Sequence, residues 1–228
     1  MIRPESFGTL VNFRQSELKH HSAFTQMAYT YKIIHLYACQ TFMKNRKALL
    51  VIDMQKGSFT ALTPRHDTHG VVKRINLLSQ AFRTNLLPVF FIQHDGTISG
   101  NFVPHTTEWE LLDELNVEAG DVLVDKYAND VFYRSDLQSR LEKYSVDELI
   151  ISGCATDFCV EATVQSALSK DYKITVVEDG HTTGERPHLK AVQVIEHYNW
   201  VWKNMIPTKG TVNVRPYQVI LDELLTTI

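Results

Sequence analysis

A three-layer α/β/α sandwich, built on an open parallel sheet covered by helices on both faces, is the fold that this sequence predicts. Three observations carry the prediction. Short apolar runs such as Ala48-Leu49-Leu50-Val51-Ile52 and Val89-Phe90-Phe91-Ile92 are continuous, without polar alternation, as strands buried on both faces require. Between such runs lie segments whose apolar residues recur at helical spacing, with Val71, Ile75, Leu78 and Phe82 along one side. Strand and helix signals then alternate along the chain, the pattern of parallel crossovers.

Taken in order, the first strand covers Ala48 to Ile52 and the first helix Val71 to Leu87. Pro88 ends that helix and starts the second strand, Val89 to Ile92. A long loop from Asp95 to Glu108 and a short amphipathic piece around Trp109 to Leu115 precede a third strand, Asp121 to Val124. Ser135 is placed to cap a helix running to about Tyr144. The fourth strand is Asp147 to Ser152, followed by a helix from Asp157 to Lys170 with Val160, Val164, Ala167 and Leu168 on one face. Lys173 to Val177 is the fifth strand, His188 to Met205 a long final helix, and Thr211 to Val214 an edge strand.

The chain has 228 residues, 44% of them hydrophobic and 21% charged, which suits one sizeable core. A formal net charge of -3 gives no electrostatic case for nucleic acid or a membrane surface as partner. Three cysteines do not make a disulfide framework, and point to a reducing, cytoplasmic setting. Residues 1–42 read differently from the rest: no clean period, and only Glu5 and Glu17 are acidic. A secretory signal is a poor fit there and a transit peptide a weak one. We favour an extension produced by a misplaced start, with Met43 opening a domain over 43–228.

In open α/β sheets, ligands bind beyond the carboxyl ends of the strands. Strand one ends at Asp53, strand two at Gln93-His94-Asp95, strand three at Lys126, and strand four opens into GCATDFCVEAT with Cys154 and Cys159. Singly, these are a turn cap, a solvated lysine and two small core residues. Together they bring a base, a cation and a thiol to one edge. Cys159, expected in the first turn of its helix, would have unpaired N–H groups and the helix dipole to favour a thiolate. A lysine ammonium would add to that. Asp53 could take the thiol proton and return it to a leaving amine, which suits acyl transfer at an amide.

The segments ALLVIDMQKGSF, GDVLVDKYANDVF, SGCATDFCVEATVQSAL and YKITVVEDGHTT resemble, in order and spacing, the isochorismatase-like cysteine hydrolase superfamily, which includes nicotinamidases and other small-amide hydrolases. The resemblance spans most of Lys47 to Thr183. It implies a mostly parallel six-stranded sheet and a catalytic triad of Asp53, Lys126 and Cys159. It also implies a cis peptide just before Ala155 and an oxyanion hole made by the N–H groups of Ala155 and Cys159. Cys154 then becomes a small packing residue, with a redox pairing to Cys159 as the minority reading.

One departure bears on cofactors. Nicotinamidases hold a metal through Asp-x-His after the second strand and a further His downstream, whereas this chain has His94 and Gly96 in those places, then His105. Two histidines make a poor catalytic site, so no metal or other cofactor is expected. For a small-molecule substrate pocket the candidates are Phe59, His94, Trp109, Phe132 and His181, while Phe158 reads better as core. The resemblance suggests a homo-oligomer. Two other functions remain open: an isochorismatase-type vinyl-ether hydrolase, which does not need the thiol, and a non-catalytic interaction protein. The intact triad argues against both.

Overall fold

The computed structural model describes residues 46–226; the expectations for residues 1–42 and for Met43 as the start lie outside them. Six strands form one sheet: β1 (Arg46–Ile52), β2 (Val89–His94), β3 (Val122–Lys126), β4 (Val146–Cys154), β5 (Lys173–Thr182) and β6 (Val212–Arg215). Their spatial order is β3-β2-β1-β4-β5-β6, and every neighbouring pair is parallel. Among the described residues five α-helices accompany them: α1 (Thr68–Thr84), α2 (Leu137–Lys143), α3 (Glu161–Ser169), α4 (Ala191–Lys203) and α5 (Tyr217–Thr226).

The central strands justify the sequence reading. Residues 48–52 of β1 are all fully buried, and they divide their side chains between two cores. Leu50 and Ile52 pack with Leu141 of α2, Val164 of α3 and Trp202 of α4. Leu49 and Val51 pack with Ile75 and Phe82 of α1 and Leu224 of α5. That is the three-layer sandwich. The edge strand β3 instead alternates, with Leu123 and Asp125 exposed and Val122, Val124 and Lys126 buried. The period of two therefore turns the Lys126 ammonium stem inward.

Several boundaries differ from the sequence reading, each for a local reason. The first helix stops at Thr84, three residues before Leu87, because Leu86 adopts the left-handed conformation (φ 55°). Leu87 N–H bonds back to the Phe82 carbonyl and Leu86 N–H to the Arg83 carbonyl, a Schellman ending. The cap of α2 is Asp136, one residue past Ser135, although the Ser135 hydroxyl still accepts the Leu137 N–H at 3.3 Å. The amphipathic piece from Trp109 to Leu115 is a run of turns with an isolated antiparallel bridge between Gln55 and Leu111. The final predicted helix starts at Ala191, not His188, where the Gln193 side chain accepts the Lys190 N–H. An unpredicted helix, α5, follows β6; Tyr217, Ile220, Leu221 and Leu224 lie on its packed side.

The largest irregularity lies between β4 and β5. Their register runs Ile151 to Val176 and resumes at Gly153 with His181, so one residue on β4 faces four on β5. The Ser152 hydroxyl donates to the Gly180 carbonyl inside this gap. At the same level Gly153 has φ +122°, and a Cβ there would meet the Ile52 carbonyl oxygen at 2.2 Å. Only glycine permits that approach of β4 to β1. The two strands leave the sheet on either side of the point where strand order reverses, and the crevice opens there.

Candidate active site

The crevice is lined from the ends of β1, β3 and β4, and it is a cavity of about 200 Å³. Asp53 follows β1 with φ 47°, its N–H bonded to the Ile92 carbonyl at 3.0 Å. Lys126 ends β3 and is 1% exposed. Its ammonium has three protons and three acceptors: Asp53 Oδ2 at 2.8 Å, the Ala128 carbonyl at 2.8 Å and Cys159 Sγ at 3.3 Å. A buried ammonium is tolerable when satisfied in this way. Burial alone would lower its pKa, but Asp53 and Cys159 outweigh that and raise it above the ordinary lysine value.

Cys159 does not sit in the first turn of an α-helix. Residues Thr156–Val160 form a wider π-type turn ahead of α3, in which Val160 N–H reaches back to the Ala155 carbonyl at 3.1 Å. The thiol is pushed well above its ordinary pKa, first by burial and then by the Asp53 charge, with Lys126 opposing. Burial and the Asp53 charge thus favour the protonated thiol over the thiolate, and Sγ lies 3.6 Å from Asn129 Oδ1, to which it can donate. Lys126 and Asp53 largely cancel each other, so the cation has little left with which to ionise the sulfur. Asp53 Oδ1 has no hydrogen-bond partner among the described residues, an open lone pair beside that thiol.

The peptide between Cys154 and Ala155 is cis. Cys154 is 2% exposed and packs against the α1 side of the sheet. Both cysteines are free thiols, and burial pushes Cys154 up to about 12. Ala155 lines the crevice, and its carbonyl accepts the N–H groups of Phe158 and Val160 at 3.1 Å each.

Of the five predicted pocket residues, only His94 lines the crevice. Its Nδ1 has no partner among the described residues, and burial, then Lys126, lowers its pKa. Phe59 packs on the α1 core, and Phe132 stacks on Tyr172 with centroids 5.9 Å apart. Trp109 contributes its carbonyl to Gln55 and Gln93, while its ring meets His105 at 5.5 Å. His181 fails for a different reason: β5 continues past Val177 and buries it. Its Nδ1 lies 2.9 Å from Thr156 Oγ1 and its Nε2 3.0 Å from Asn199 Oδ1. Because Asn199 Nδ2 donates to the Glu178 carbonyl, Oδ1 must accept from His181 Nε2–H, which leaves Nδ1 to accept the Thr156 hydroxyl.

Burial holds this imidazole down at about 4. Below the ordinary value of 6.5 the unfolded chain binds a proton that the folded one refuses. The associated stability is complete above pH 6.5 and drains away as pH falls toward 4, by roughly 3 kcal/mol. Unfolding free energy measured by denaturant between pH 6.5 and 4.5 should fall more steeply in the wild type than in His181→Gln. Equal slopes would remove His181 as the source.

The residues that the sequence reading missed are in loops. Gln55, Ser58, Arg65, Phe102 and Asn129 all face the crevice, as does Phe158, which was expected in the core but is 50% exposed. Gln55 had a signal, two residues after Asp53: its amide holds the His94 backbone at both ends, Nε2 to the carbonyl at 3.1 Å and Oε1 from the N–H at 2.8 Å. His105 does not line the crevice, and among the described residues no group of three or more His, Cys, Asp or Glu could hold a metal ion. No helix among them is long and apolar enough to cross a membrane.

Comparison with known proteins gives the chain's family and its fold. A family model described as the isochorismatase domain matches residues 47–203. The uncharacterised isochorismatase family protein YddQ of Bacillus subtilis (strain 168) is 35% identical over 162 residues, covering 68% of this chain and 88% of that protein. A streptothricin hydrolase of Streptomyces noursei is 32% identical over 62% of this chain, which spans only 51% of that relative's length. Nicotinamidase 3 of Arabidopsis thaliana is 30% identical over 60% of this chain and 73% of its own. The crystal structure of a cysteine hydrolase from Pseudomonas syringae pv. phaseolicola 1448A superposes with a TM-score of 0.73 at 22% identity, over 80% of this chain and 94% of that one.

Proposed function

Since the chain belongs to the isochorismatase family, we propose that it is a cysteine hydrolase that cleaves a small-molecule amide or related C–N bond through a thioester. The observation that carries this reading is the contact of one buried ammonium with both Asp53 (2.8 Å) and the Cys159 sulfur (3.3 Å). Amide-cleaving relatives such as nicotinamidase 3 support the bond type.

The chemistry follows from the protonation states. Cys159 attacks the amide carbon as Asp53 removes the Sγ proton, so no free thiolate accumulates beforehand. The carbonyl oxygen becomes an oxyanion, which the N–H groups of Ala155 and Cys159 receive in this reading. Asp53 then passes its proton to the leaving nitrogen, the C–N bond breaks, and a thioester remains. Water, deprotonated by Asp53, attacks that thioester; the sulfur leaves and recovers the proton. Throughout, Lys126 holds Asp53 in position and offsets the charge that moves across the site. His94, which lines the crevice, would supply a hydrogen bond to substrate in this reading.

A thiol nucleophile and free cysteines suit a reducing cytoplasm. The α4 face that leaves Val192 41% and Trp200 64% exposed, one turn pair apart, would be covered in a homo-oligomer; sedimentation of the native protein measures this, and a monomer at micromolar concentration would refute it. The function is tested by an ammonia-release screen over small amides, ureides and carbamoyl compounds, with and without chelator. Turnover unaffected by chelator is expected. Loss of activity on chelation, restored by a divalent metal, would overturn the metal-free thiol reading.

A further inference from the structure

One cation in the crevice has no part in the steps above. Arg65 lies in the polar loop between β1 and α1 and lines the same cavity as Cys159. It is seated from two sides: its Nε donates to the Ser58 carbonyl at 2.8 Å, and Nη1 occupies space beside Gly184. A Cβ at Gly184 would meet Nη1 at 2.9 Å, so the glycine's lack of a side chain makes room for the guanidinium. Other arginines nearby are paired. Arg186 grips Asp157 with two bonds of 2.7 Å, and Arg74 reaches Asp67 and Asp179. No carboxylate pairs with Arg65 among the described residues.

The charges in the crevice do not sum to zero. Asp53 and Lys126 cancel, burial disfavours the charged forms of Cys159 and His94, and Arg65 is left over. We propose that Arg65 binds a carboxylate of the substrate, so that the amide cleaved at Cys159 belongs to a small monoanionic molecule. This rests on the amidase reading of the site. With Nε engaged by Ser58, the terminal nitrogens Nη1 and Nη2 are the donors left for two carboxylate oxygens. A single positive charge balances one carboxylate and leaves a phosphate of about -1.5 to -2 under-compensated. The cavity of about 200 Å³ is below the roughly 300–1,000 Å³ of drug-sized sites, so few bonds separate the carboxylate from the amide. Phe102 and Phe158 give the connecting atoms apolar walls.

The test uses matched pairs: malonamate, succinamate, glutaramate and phthalamate, each beside the neutral methyl ketone in which acetyl replaces the carboxylate. In the full chain, kcat/KM should favour the amido acid of at least one pair by about 100-fold. Arg65→Gln should collapse that ratio toward one, mainly through KM, and Arg65→Lys, which keeps the charge and loses the fork, should retain part of it. A purely structural role would lower both members equally and leave the ratio alone. Calorimetric titration of the same pairs into Cys159→Ala and Cys159→Ala/Arg65→Gln reads binding without turnover. An Arg65-dependent preference there, with no hydrolysis by the wild type, would uphold carboxylate recognition and sink the amidase reading. The proposal is overturned by a ratio that Arg65→Gln leaves unchanged, by a preference for the ketones, or by no binding of any amido acid to Cys159→Ala.

Discussion

Cys159→Ala is expected to lower amide hydrolysis by on the order of 10⁴-fold or more, with the fold and melting behaviour preserved. The size follows from covalent catalysis: without the sulfur no thioester forms, and only the oxyanion donors and substrate binding remain. Stability should change little, because Cys159 is half-buried at the mouth of the crevice and contributes a small side chain to the core edge. Rapid-quench kinetics would add a second check, since the wild type should give an acyl-enzyme mass on Cys159 that the variant lacks. Retention of even a tenth of the activity would rule out the thiol as nucleophile.

Lys126→Met should damage both rate and stability. It leaves the Asp53 carboxylate, itself 6% exposed, without its cation, and an uncompensated buried charge costs about 3–5 kcal/mol. Unfolding by denaturant would show this as a lower midpoint at unchanged slope. The double variant Asp53→Asn/Lys126→Met removes both charges and should recover most of that loss while remaining inactive, by 10³-fold or more on the order of general-base losses. The contrast separates two roles of the lysine. If the double variant were as unstable as the single one, packing and not charge would explain the lysine's place in the core.

How much of this was legible in the sequence depended on whether the determining contacts were local. The strand at Ala48–Ile52 and the helix around Ile75 and Phe82 announce themselves, because burial on one or both faces writes a period into consecutive residues. β5 beyond Val177 does not: Glu178, Asp179 and Gly180 look like a loop, and only the slipped register against Ser152 turns them into strand and hides His181. Helix α5 does carry a helical signal, with apolar residues at 217, 220, 221 and 224. The meeting of Asp53, Lys126 and Cys159 was readable because topology brings strand ends together wherever the loops go. The pocket was not. Phe102 and Arg65 come from loops whose paths depend on irregular contacts, local for Phe102 with Glu108 and distant for Arg65 with Gly184, so aromatic content near a strand end singled out Phe59, Phe132 and Trp109 instead.

The strand order has a consequence for the protein's synthesis. β1 lies between β2 and β4, yet β4 is completed roughly 100 residues after β1. At about 5–20 residues per second, a ribosome leaves one fully apolar edge of β1 unpaired for roughly 5–20 s. Until Gly153 settles against Ile52, the nascent chain lacks both the centre of its sheet and the β4 side of the crevice. The same apolar run that makes β1 the middle of the sheet therefore makes it the segment most exposed to chaperones, and to its neighbours on a polysome, before the enzyme exists.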